Sequence, residues 1–115
     1  MGRGTALHET MEDSAANVYY SEGFRNVIEY HLPKLKSSVN TASAAVPQNL
    51  GLRHEHDFYG LLVELKIPTH LQWITLRLND MTDPSEFRVD RQRILIPDRG
   101  DLNAIRTTYT MIHKI

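Results

Sequence analysis

Residues 72–84 read QWITLRLNDMTDP, an apolar helix-forming run that passes straight into turn chemistry. Leu71, Ile74 and Leu78 recur at helical spacing, with the chain's single tryptophan, Trp73, beside them. NDMTDP then closes the helix, because Asn and Asp side chains satisfy nearby backbone donors and Pro84 sets its own φ. Just upstream, Asp57 is a good helix N-cap, and Phe58, Leu61, Leu62 and Leu65 fall on one face of a helix that ends before Pro68. Thr69 is placed to cap the second helix. Downstream, QRILIP (92–97) reads as a short strand ended by Pro97. The expected order is helix, helix, turn, strand, with a further strand at GLRHE (51–55) in front. This is a small α+β unit, a β-α-α-β domain spanning residues 52–98.

Flanking chain reads differently. Residues 1–16 are small, polar and charged, without periodicity, and form a flexible N-terminal arm in this reading. Residues 17–51 form a helix or extended assembly segment and a linker. Phe24, Val27, Ile28, His31 and Leu35 suggest a helix over about residues 22–31 that Pro33 ends, with an extended strand as the alternative. SSVNTASAAVPQNLG (37–51) has the composition of a linker or of a segment lying across another subunit. Residues 99–115 carry Ile105, Tyr109, Met111 and Ile115 at odd positions with threonines between, which reads as a C-terminal strand or tail. A unit as small as 52–98 buries too little surface to order long arms unaided, so the arms are expected to order on a partner.

The chain has 115 residues, with 13 basic against 14 acidic, so no cationic excess favours nucleic acid. Cysteine is absent, which removes disulfide scaffolds, thiolate zinc sites and cysteine nucleophiles. No signal-peptide core or membrane-length apolar run is visible, and synthesis in a cytoplasm is expected. His54 and His56 would share a face in a strand, but a metal site needs a third ligand, so no metal or cofactor is expected. Glu55, Asp57 and Glu64 lack a recognisable pocket, His70 reads as a cap neighbour, and no enzyme is expected.

Several pieces of this segment come in an order that resembles the lysin motif. They are Asp57, YGLLVELKIP (59–68), Leu78-Asn79, DMTDP (80–84) and ILIP (94–97). The stretch with Trp73, Asn79, Asp80, Asp83 and Pro84 is also similar to the W-x5-N-D-x2-D-P pattern of lysin-motif-like baseplate wedge proteins of contractile-tailed bacteriophages. That resemblance implies a structural virion protein of the tail baseplate that docks other tail proteins, with no nucleic acid or membrane partner. The alternative is a lysin-motif module binding peptidoglycan or chitin, and a further one is a neck or head-to-tail connector. The charged LRHEH, and His56-Asp57 where secreted lysin motifs carry Gly-Asp, turn the reading away from glycan. The residues expected to bind a partner are Tyr19, Tyr20, Phe24, Trp73, Arg77, Asn79, Asp83, Pro84 and Tyr109. For Trp73 the competing role is a core anchor, and for Asn79 and Asp83 it is satisfaction of their own loop.

Overall fold

The computed structural model describes residues 17–113, so the arm read over residues 1–16 lies outside the described residues. Helix α1 (Glu22–Ser37) starts at Ser21, whose Oγ accepts a hydrogen bond from the Phe24 amide at 3.2 Å. Phe24, Ile28, Leu32 and Leu35 are its buried stripe. Neither the strand alternative nor the stop at Pro33 is realised, since the helix runs a further turn to Ser37. A proline inside a helix costs about 3 kcal/mol. Burying Leu32 and Leu35 contributes roughly 1.5–3 kcal/mol each, which offsets that cost. Side chains then tie down the helix end: Ser37 Oγ donates to the Pro33 carbonyl at 3.1 Å and Thr41 Oγ1 to that of Leu35 at 2.6 Å.

The fold is α+β, with a two-stranded antiparallel sheet. Strand β1 (Ala42–Ala45) pairs with β2 (Arg93–Ile96), setting Ala42 opposite Ile96 and Ala45 opposite Arg93. The first strand therefore lies in the stretch read as a linker, and GLRHE belongs instead to helix α2 (Gln48–Arg53) and the turn after it. Of residues 34–50, expected to order only on assembly, 42–45 pair within this chain with its own β2. ASAA carries no apolar alternation, so only the pairing with RILI makes it a strand. Both outer edges of the sheet meet side chains. On β2, Asn79 accepts from the Leu95 amide at 2.7 Å and donates to its carbonyl at 2.9 Å. On β1, Arg93 donates to the Ser43 carbonyl at 2.7 Å.

Helix α3 (Phe58–Glu64) has the expected cap: the Gly60 amide donates to Asp57 Oδ1 at 3.1 Å. A Cβ at residue 60 would stand 2.0 Å from Asp57 Oδ2, so any other residue there would have to push that carboxylate aside. Pro68 leads into a 3-10 turn, Thr69–Leu71, where Thr69 makes no capping bond, and then into α4 (Gln72–Leu78). The C-terminal strand or tail is a helix, α5 (Arg99–His113). Leu102, Ile105, Tyr109 and Ile112 recur at helical spacing, and the odd-numbered alternation that suggested a strand is incidental. Asp98 Oδ2 accepts from the Asp101 amide at 3.0 Å near the helix start. Where α5 passes α1, a Cβ on Gly23 would lie 2.4 Å from the Tyr109 hydroxyl, so glycine permits the close approach.

Apolar side chains gather in two clusters. The buried residues of one lie within 52–98 and include Phe58, Leu61, Leu62, Leu76, Phe87 and Ile94, with Ala44, Val46 and Leu50 packed against them. The other brings Phe24, Ile28, Leu32, Leu35, Leu102 and Tyr109 onto Leu71, Ile74 and Leu78. Helix α4 feeds both, with the fully buried Thr75 among them. The flanking chain thus finds its apolar partner on the other side of α4, contrary to the expectation that it needs another subunit.

Candidate functional site

Trp73 is partly buried against the α1–α5 cluster, and its ring lies 5.3 Å below the Arg25 guanidinium of α1. Stacking a cation on an indole face is favourable, and both groups are partly buried here, the Arg25 Nε fully so. Tyr59 of α3 stands close by: its hydroxyl feels the charges of both Arg25 and Asp83, while burial raises its pKa most. Helices α1 and α4 thereby bring Arg25 and Trp73 to one face, and Tyr59 lies within range of the charges of Arg25 and Asp83. Sequence reasoning missed Arg25 and Tyr59. Arg25 lies outside the quoted motif and Tyr59 was quoted only as the first residue of YGLLVELKIP, and only the packing of α1 on α4 brings Arg25 to Trp73.

The rest of the motif builds the scaffold beneath this face. Arg77 forms a two-pronged ion pair with Glu29, at 2.6 and 3.1 Å, and donates to the Met81 carbonyl at 2.8 Å. The hydrogen bond it donates to Glu29 is the main cause that raises its pKa. Asn79 is buried and uses both ends of its amide: Nδ2 also donates to the Thr75 carbonyl at 2.7 Å, and Oδ1 accepts from Arg91 at 3.2 Å. Asp83 accepts from the Ser85 amide at 2.9 Å and from the Ser85 hydroxyl, and these bonds hold its pKa down. Pro84 opens the 3-10 turn that follows.

Four residues expected to meet a partner are buried instead: Tyr19, Phe24, Asn79 and Tyr109. The three rings pack edge-on, Tyr19 to Phe24 at 5.1 Å and Phe24 to Tyr109 at 5.4 Å, because α5 folds back on α1. Tyr20 keeps half its surface at 50% exposure, and Asp83 is open. Trp73, Arg77 and Pro84 are partly covered.

The histidines separate. His54 sits between Asp57, at 3.2 Å, and Glu64, which Arg53 also holds at 2.8 Å. The Glu64 hydrogen bond raises the His54 pKa most, and the same bond lowers that of Glu64. This clamp ties the end of α2 to α3. His56 takes a left-handed backbone, φ 64°, and sends Nδ1 to the Ser85 carbonyl at 3.1 Å, so the shared face expected of a strand does not form. His70 stacks on Tyr19 at 4.9 Å, and burial lowers its pKa. Among the described residues, no group of three His, Asp or Glu is placed to hold a metal ion. No helix among them is long and apolar enough to cross a membrane.

A second surface feature is a groove of about 650 Å³ between α1 and α5, walled by Val27, His31, Leu35, Ile105 and Tyr109. Ile112 also lines it and is 69% exposed. No family model matches the chain, and no curated protein or solved structure matches it either.

Proposed function

We propose that the chain is a structural subunit of a bacteriophage tail baseplate, of the wedge type, that docks a neighbouring tail protein through the Trp73 face. The observation that carries this reading is the stacking of Arg25 on Trp73, with Tyr59 within range of the charges of Arg25 and Asp83. Two of those residues, Trp73 and Asp83, belong to the W-x5-N-D-x2-D-P pattern that resembles the wedge proteins. Aromatic and arginine side chains held at a surface are the groups in which interfaces concentrate their binding energy. Beneath them, Asn79 and the Arg77–Glu29 pair fix the loop, so little conformational entropy remains to be lost on docking. No cofactor and no catalytic step enter this role.

Gradient-purified tailed particles from cells that make the chain provide the test. Quantitative mass spectrometry should find it at fixed stoichiometry with the other tail proteins, and particles lacking it would overturn the proposal. Trp73, partly exposed, is also a ring on which a sugar can stack, which keeps the glycan reading as the second. Saturable quenching of Trp73 fluorescence by N-acetylglucosamine oligomers would shift the assignment to glycan binding.

A further inference from the structure

The groove between α1 and α5 changes character along its length. At one end Lys34 lies a helical turn before Ser38, whose hydroxyl donates to Asp101 Oδ2 at 2.7 Å. Asn40 donates to the other oxygen of the same carboxylate at 3.2 Å. These bonds orient Asp101 and leave its negative charge in place. Lys34 and Asp101 both line the groove, yet among the described residues neither forms an ion pair, with the other or with any third side chain. Away from that end the walls are largely apolar, with Val27 on α1 and Ile105 and Ile112 on α5. His31, between the two ends, has its Nδ1 taken up by the Val27 carbonyl at 2.8 Å.

Size and charge together select the occupant. A volume of about 650 Å³ is that of a small-molecule site. From Asp101 to Ile112, α5 rises about 16 Å, which accommodates one extended alkyl chain of medium length. An anionic head at the polar end would meet Lys34 favourably and Asp101 unfavourably, and a cationic head the reverse. A head that carries both signs meets two favourable charges.

We infer that the α1–α5 groove binds the monomer of a single-chain phospholipid with a zwitterionic head. Its phosphate lies toward Lys34, its ammonium toward Asp101, and its chain over Val27, Ile105 and Ile112. This site is separate from the Trp73 face and stands whether or not the chain belongs to a tail.

Three probes with one dodecyl chain and different heads test this on the full chain, each kept below its critical micelle concentration. They are dodecylphosphocholine, uncharged dodecyl maltoside and cationic dodecyltrimethylammonium. Dodecylphosphocholine should shift the methyl resonances of Ile105 and Ile112 saturably, while that of Ile94, buried in the other cluster, stays in place. It should bind roughly fivefold more tightly than the maltoside, as two partly exposed ion pairs allow. Lys34→Gln and Asp101→Asn should each narrow that gap to about twofold. Lys34 is exposed and bonded to nothing among the described residues, so its variant stays folded even where Asp101→Asn does not. Three results would each overturn the inference: no saturable shift at Ile105 and Ile112, equal affinity for all three heads, or shifts that begin only once micelles form.

Discussion

The two apolar clusters differ in where their residues come from. The Phe58–Phe87 cluster draws on residues 58–94, and its two rings lie 5.5 Å apart. The Phe24 cluster is assembled from both ends of the described chain, Val18 to Leu35 and Leu102 to Tyr109, and closes only because α4 supplies Leu71, Ile74 and Leu78. One is built mainly from near neighbours and the other from distant ones, yet they share a helix of seven residues. A helix that short does not persist alone in water, so each cluster depends on the other to keep α4 formed.

The sharpest way to break that comparison is to empty one cluster at a time. Phe24→Ala and Phe58→Ala should each cost about 3–5 kcal/mol. Each variant should still unfold in a single urea transition, with Trp73 fluorescence and far-ultraviolet circular dichroism coincident. Two separated transitions in Phe24→Ala would show that residues 52–98 stand alone. A smaller effect is expected at Asn79, which joins α4 to β2. Asn79→Ala strands the Leu95 amide and carbonyl and should cost about 1–3 kcal/mol, read from the same urea midpoints.

The smallest effect separates the surface clamp from both cores. His54 has a pKa raised above its ordinary 6.5, so its contribution is complete below that value and is lost as pH rises through the raised one. Glu64 is lowered from 4.5, so its contribution is present above that value and is lost as pH falls through the lowered one. The clamp is therefore strongest in mildly acid solution. Urea midpoints should fall slightly from about pH 6 to about pH 9, and His54→Gln should remove that slope. A slope that survives the substitution would assign it to other groups.

Much of the local chemistry was legible in the sequence. Asp57 caps α3, the leucines after it are buried, and RILI is a strand, because cap geometry and apolar spacing act over a few residues. What could not be read depended on distant pairing. ASAA becomes a strand only through RILI, some fifty residues away. Pro33 is tolerated because Leu32 and Leu35 are buried on elements the local pattern does not reveal. For α5 the signal was present, but Ile105, Tyr109 and Met111 at odd positions matched a period of two as well as one of 3.6. Of the site, the sequence pointed to Trp73 and Asp83, while Arg25 and Tyr59 reach them only through tertiary packing.

A two-stranded ribbon ordinarily offers a template on each flank, and chains that present such flanks recruit one another into fibrils. In this protein the flanks are closed at their centres, where the side-chain amide of Asn79 stands in for a missing third strand and the Arg93 guanidinium covers the carbonyl on the far side. The sheet therefore offers a neighbouring copy fewer free backbone groups than an uncovered two-stranded ribbon would.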